Sequence, residues 1–241
     1  MTQPRVRRPL VPGLAVVAMM AVLTGCSDGA VTTTGTAPGA AAQVGDVTIT
    51  QSKVDRTARA ICDDLEPQLA EEGPVALIQV KQYALNLLTA RAQAEQIADE
   101  YDVKPDPAVT RDLAQWKTQA ERVPEDLRDD FATAMNTEAL LSSVLTEAGA
   151  KALADDGVSN PSQEEVQQAG SEIFATWADN ADVKIDPRYE AAVREGVLQP
   201  TRTSLSVPAS KRAVQAWAQV NDRENASPEY VDSLPTSQRC G

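Results

Sequence analysis

The chain of 241 residues contains no histidine and few aromatic side chains, with three Trp, four Tyr and two Phe. Without an imidazole there is no Ser-His or Cys-His nucleophile pair and no His-based zinc or iron centre. Positive charge is also scarce: 22 Lys and Arg stand against 35 Asp and Glu, a formal charge of −13. Such a chain repels phosphate backbones, and no basic stripe with interleaved aromatics offsets the net sign, so no nucleic-acid partner is expected. A hydrophobic fraction of 42% that is rich in Ala and poor in aromatics predicts helices with shallow Ala and Leu packing.

At the start of the chain, Arg5, Arg7 and Arg8 precede an apolar run from Leu14 to Leu23. This is the charge and hydropathy pattern of a signal peptide over residues 1–25. The run ends in Leu23-Thr24-Gly25-Cys26, which resembles the lipobox of bacterial lipoproteins, in which the cysteine is acylated and becomes the mature N-terminus. The alternative is an ordinary secretory signal with a chance cysteine. Each buried acyl methylene contributes about 0.8 kcal/mol, and more than one chain gives stable attachment. The expectation is a protein anchored through Cys26 on the extracytoplasmic face of a cell membrane. Loss of three Arg and no acid would move the formal charge from −13 to −16, so anionic headgroups would hold the domain away from the surface. Residues 26–43, with Thr32-Thr33-Thr34-Gly35-Thr36 at their centre, carry too little large apolar side chain to bury and are expected to be a flexible linker, with O-glycosylation of its threonines a further option.

Cys62 and Cys240 remain. An even pair in an oxidising compartment predicts a disulfide, the alternative being two free thiols.

Beyond the linker, Val44 to Thr50 alternates as a short strand. Ser52-x-x-Asp55 has the form of a capping box, and Val54, Ala58, Ile61, Leu65 and Leu69 follow at helical spacing to about Ala70. Gly73-Pro74 punctuates, and a long helix carries Leu77, Val80, Ala84, Leu88 and Ile97. Asp106-Pro107 is an N-cap with proline at the first helical position, opening a third helix through Val109, Leu113, Trp116 and Val123. A long helix after Pro124 is expected to break near Asn136-Thr137 and to stop at Asp155-Asp156-Gly157. A fifth follows Asn160-Pro161. Val183-Lys184-Ile185 alternates as a second strand, expected to pair with residues 46–50 because an isolated strand is not stable. The tail, residues 190–241, is rich in Pro, Ser and Thr and is expected to be partly irregular, with one weak helix near Lys211 to Val220.

Chemistry-bearing patterns are sparse. Asp63-Asp64, Glu71-Glu72, Asp129-Asp130 and Asp155-Asp156 are sequence neighbours, whose side chains diverge by about 100° on a helix and read as solvated faces and ends. Asp155-Asp156-Gly157 lacks the ligand spacing of a calcium loop, and no metal ligand is assigned. Ser210-Lys211 reads as a helix cap rather than a nucleophile pair. Gly149, Gly157 and Gly170 are scattered rather than gathered in a phosphate loop. Trp116, Trp177 and Trp217 read as core, with lining of a peptide groove as the alternative. No catalytic residue, cofactor or small-molecule substrate is assigned.

The order Val44-Gly45-Asp46-x-x-Ile49-Thr50, a capped helix, the long helix to Tyr101, then Val103-Lys104-Pro105-Asp106 and later Ser159 to Val166 resembles the N-terminal chaperone domain of SurA and the related PrsA-type foldases over residues 43–187. The resemblance implies a mainly α, multi-helix domain at residues 44–189 with two short strands near its ends. In the foldases a parvulin prolyl-isomerase domain with active-site histidines follows. Here only one helix and a short strand follow Val166, and there is no histidine, so isomerase activity is not carried over. The resemblance implies a non-enzymatic binder of unfolded, secreted polypeptides, with Leu113, Trp116 and Phe131 in a shallow peptide-binding groove. The alternative expectation is an envelope adaptor that holds one specific partner.

Overall fold

The computed structural model describes residues 36–194, 197–200, 210–221 and 227–241. Cys26 and the residues before it lie outside these, as does the tract around Thr33. From residue 36 onward the described chain belongs to one compact unit, mainly helical with a few short strands.

In chain order the elements are β1 (Ala40–Val44), β2 (Val47–Thr50), α1 (Gln51–Glu72), β3 (Val75–Ala76), α2 (Leu77–Glu100), α3 (Pro107–Gln119), a 3₁₀ turn at Glu125–Leu127, α4 (Arg128–Met135), α5 (Thr137–Asp155), α6 (Gln163–Asn180), β4 (Val183–Ile185), β5 (Ala191–Arg194), β6 (Val197–Pro200), α7 (Lys211–Asn221), α8 (Pro228–Asp232) and β7 (Arg239–Cys240).

The expected linker ends earlier than its composition implies. Ala40–Gln43 form most of β1, the central strand of the sheet β2-β1-β4. Ala41 and Ala42 are fully buried, and β1 contacts both α1 and α2. The small side chains here are buried in a packed strand rather than spread along a tether. The expected pairing of the two strands is corrected too. β2 and β4 do not touch; each pairs antiparallel with β1, Val44 standing opposite both Val47 and Val183. Gly45 turns the β1–β2 hairpin at φ +55°, a left-handed conformation that glycine adopts without a Cβ penalty.

The chain leaves β2 directly into α1, so Thr50, still extended, is the cap. Its hydroxyl accepts from Lys53 N at 3.1 Å. The expected box at Ser52 is displaced by this, and Asp55 instead pairs with Lys81 of α2 at 2.7 Å. The Asp106-Pro107 cap forms as read, with Asp106 Oδ1 accepting from Ala108 N at 2.6 Å. The break at Asn136 forms between α4 and α5. A reciprocal box at Ser162 and Glu165 opens α6, Glu165 Oε2 accepting from Ser162 N at 2.7 Å. These hydrogen bonds hold the Glu165 carboxyl below its usual range.

The largest apolar cluster joins α1, α2, β1 and α4 through Val54, Ile61, Leu85, Leu88, Leu127 and Phe131. A second joins α2, α5 and α6 through Ile97, Leu140, Val144 and Ile173. Between α5 and α6 the scattered glycines find their purpose. A Cβ on Gly149 would stand 2.8 Å from Gly170 N and against Val166 O; one on Gly170 would meet Leu145 O and stand 3.0 Å from its carbonyl carbon. The two helices cross backbone to backbone at that point.

The adjacent carboxylates of α4 diverge as the helix dictates, yet only one of them is solvated. Asp129 points outward to Lys117 at 2.7 Å. Asp130 is 13% exposed and bridges Lys53 and Arg56 of α1, the latter at 2.7 Å. It ties α4 to α1, a role that adjacency in sequence does not reveal.

The described residues of the C-terminal region carry several regular elements. β5 and β6 form a hairpin, α7 forms where expected, and β7 returns to pair with β3 at the α1–α2 turn, Val75 opposite Cys240. Val231 and Leu234 build a small third core with Ala76. Cys62 and Cys240 are joined as a disulfide, Cα atoms 5.4 Å apart across a sequence separation of 178. The expected domain limit at residue 189 therefore does not divide the structure: Tyr189 and Cys240 lie in the main core, and burial beside Asp55 and Asp186 pushes the Tyr189 phenol up to about 12.

Polar side chains also sit in the core. Thr57 of α1 and Thr89 and Gln93 of α2 are buried with no hydrogen-bond partner for either hydroxyl or for the Gln93 amide. A buried unsatisfied polar group costs about 1–3 kcal/mol. Gln93→Met, similar in length and free of that cost, is expected to raise stability by about 1–2 kcal/mol, read as a higher urea midpoint at unchanged slope. A lower midpoint would show that the amide is satisfied in solution.

Candidate functional site

The predicted peptide-binding residues lie at one corner, where α3 rests on α4 and α5. α3 is fastened by polar contacts as well as by Val109 and Trp116 packing on the cores: Asp106 N donates to Ser143 Oγ at 2.7 Å, and the Asn136 amide donates to Val109 O at 3.0 Å and to Asp112 Oδ2 at 2.9 Å. None of its residues is fully buried. Leu113 and Trp116 are half-buried on its inner face. The Trp116 ring meets Phe131 edge to face, centroids 6.0 Å apart and planes at 80°. Phe131 itself is 1% exposed. The structure thus brings Trp116 and Phe131 together, but as a closed contact: Phe131 is a core residue and does not line an open groove. Among the described residues the large apolar side chains left exposed are Tyr83, Val158, Val197 and Val214, which sit on separate elements.

Two depressions among the described residues are of interest. The larger, about 550 Å³, lies beside the disulfide, with Asp55, Arg59, Asp63 and Glu66 from α1, Lys81 from α2 and Arg239 from β7 among its lining. Its charges are mixed and partly paired. Burial pushes the Asp63 carboxyl up, Arg59 opposes this, and Glu66 and Asp126 add to it.

The smaller, about 250 Å³, lies where the C-terminal ends of α2 and α6 meet the β1–β2 turn. It is lined by Gly45, Gln96, Glu100, Tyr101, Thr176, Trp177, Asn180 and Ala181. Gln96 Nε2 donates to Val44 O at 2.8 Å and to Ala92 O at 3.2 Å. Both partners are carbonyls, so the orientation of the amide is fixed by chemistry, and a Cβ on Gly45 would run into Gln96 Oε1. Asn180 Nδ2 is likewise committed to Thr176 O at 2.8 Å.

Sequence reasoning placed Trp177 in the core and passed over Tyr101, Gln96 and Asn180. The usable signal was the left-handed Gly45 turn, which brings a backbone close to α2.

Catalytic signs are sparse. Among the described residues no group of His, Cys, Asp and Glu is placed to hold a metal ion. Ser210 Oγ accepts from Ala213 N at 3.1 Å, the cap expected of it. No described helix is long and apolar enough to cross a membrane. Compared with family models, with curated proteins and with solved structures, the chain finds no match.

Proposed function

We propose that the protein is a lipid-anchored extracytoplasmic module that binds a specific polypeptide partner and carries out no catalysis. The observation that supports this reading best is the closed α3–α4 corner. With Phe131 closed beneath Trp116, this surface suits a shape- and charge-matched partner better than a succession of unfolded chains. The anchor rests on the Leu23-Thr24-Gly25-Cys26 sequence. A second reading, chaperone-like capture of unfolded secreted polypeptides, draws on α3 having no fully buried residue: lifting that helix would bare Trp116 and Phe131.

Crosslinking in intact envelopes separates the two. A single stoichiometric adduct that re-forms from purified components supports the specific partner. A broad smear, together with suppressed aggregation of several unrelated denatured proteins by light scattering, supports the chaperone. Cys26→Ser is expected to release the chain from the membrane fraction while leaving its thermal transition unchanged. Retention in the membrane would remove the lipid anchor.

A further inference from the structure

The small pocket between the ends of α2 and α6 is chemically one-sided. Both amide N–H donors of Gln96 and one of the two of Asn180 are committed to backbone carbonyls, and each side chain keeps its oxygen as an acceptor. Glu100, exposed at the rim, makes no ion pair with any described residue. Two aromatic rings, Tyr101 and Trp177, complete the lining. Trp177 is held from behind, packing on both major cores, so its ring is a fixed wall. The hydroxyls of Thr176 and Tyr101 adapt to either role, and the Trp177 indole N–H is a donor. Glu100 is the one charged residue in the lining. Asp182 next to Ala181 is met by Lys184 at 2.5 Å.

Fixed acceptors, a carboxylate and aromatic faces in about 250 Å³ call for a flat cation with several donors. A guanidinium has five N–H donors in one plane and stacks on aromatic rings, whereas an ammonium offers three donors and no flat face. Attraction of the cation to a ring face adds to the stacking.

We propose that this pocket receives an arginine side chain of the partner polypeptide. The source of the arginine rests on the partner-binding reading above, but the pocket itself is tested without any partner. The full chain, purified in neutral detergent and labelled with ¹⁵N at its indoles, would be titrated with a capped Gly-Arg-Gly peptide. The Trp177 resonance is assigned from Trp177→Phe. The expected result is a saturable shift of the Trp177 indole, with those of Trp116 and Trp217 unmoved. The citrulline peptide, which keeps the planar shape but loses the charge and carries a carbonyl acceptor in place of two N–H donors, should bind about tenfold more weakly. Glu100→Gln and Asn180→Ala alter only rim and last-turn side chains and should each weaken binding several-fold at unchanged melting temperature.

No saturable shift with the arginine peptide, or equal binding of the citrulline peptide, overturns the proposal. So does undiminished affinity in both variants. Failure here leaves a crosslinked partner standing, and absence of any partner leaves a positive titration standing, so the two readings fail separately.

Discussion

Gly170→Ala is expected to destabilise the protein by about 1–3 kcal/mol, although alanine is the better helix former. The two effects oppose each other and their sizes decide the sign. Inside a helix, Gly to Ala gains about 1 kcal/mol from propensity. At this position, however, the new methyl would be driven against Leu145 O and would stand 3.0 Å from its carbonyl carbon and 3.2 Å from its Cβ. Neither carbonyl atom can move without shifting α5. Two packed helices separate as rigid bodies, so one methyl disturbs every contact along the α5–α6 seam, including Val144 and Ile173. For a domain of this size, about 2 kcal/mol lowers the melting temperature by roughly 4–8 °C. The control is Gly157→Ala. A Cβ there meets nothing within 4 Å, but its φ of +81° strains any other residue, so its loss arises in the backbone and leaves the seam intact. A melting temperature for Gly170→Ala at or above that of the parent would show that the helices do not meet at this glycine.

The second large effect is expected from the disulfide. The Cys62–Cys240 bond spans 178 residues, and the chain-entropy model assigns such a closure about 5 kcal/mol, with native disulfides usually contributing about 2–5 kcal/mol. Cys62→Ala with Cys240→Ala should therefore lose stability on that scale, while the far-ultraviolet helical signal persists at low temperature. The first region to loosen should be the C-terminal one, since β7 pairs with β3 through only two residues and the third core is small. Hydrogen exchange would show this as loss of protection at Ala76, Val231 and Leu234 ahead of Leu85 and Ile97. Quantitative alkylation of both thiols in the unreduced parent, or a double variant as stable as the parent, would overturn the expectation.

Much of the helical framework was legible in the sequence because it rests on local chemistry. Asp106-Pro107 caps α3 because a carboxylate placed before a proline has free backbone N–H groups within reach. Asn136 breaks α4 from α5, and Val183-Lys184-Ile185 is a strand, each where pattern and punctuation agree. The reciprocal box of Ser162 with Glu165 rests on the same kind of local spacing.

The misreadings have one physical source. Composition reports how much apolar volume a segment carries, not how much space its surroundings leave. Ala40 to Gln43 looked like tether because small side chains bury little surface, yet Ala40, Ala41 and Ala42 are buried in a strand flanked by two others and contacted by two helices. Gly149 and Gly170 looked incidental because twenty residues of chain separate the two faces that need them. Phe131 looked like a groove residue because its spacing matches either a covered or an uncovered face, and only Trp116 lying across it distinguishes the two. The pocket at Trp177 and Tyr101 was invisible for a related reason: its walls come from a turn and two helices far apart in the chain.

The sequence by itself determined the helical class, the positions of most caps and breaks, the acidic exterior, the absence of imidazole chemistry and the expectation of an acylated Cys26. These follow from residue type and from interactions spanning a few positions. The tertiary structure alone decided that β1 separates β2 from β4, that the C-terminal region returns to the α1–α2 turn, that Asp130 bridges two cations and that the acceptors beside Trp177 share one pocket. Each of these depends on which surfaces are brought within a few ångströms of one another, and that is set by the packing of the whole chain.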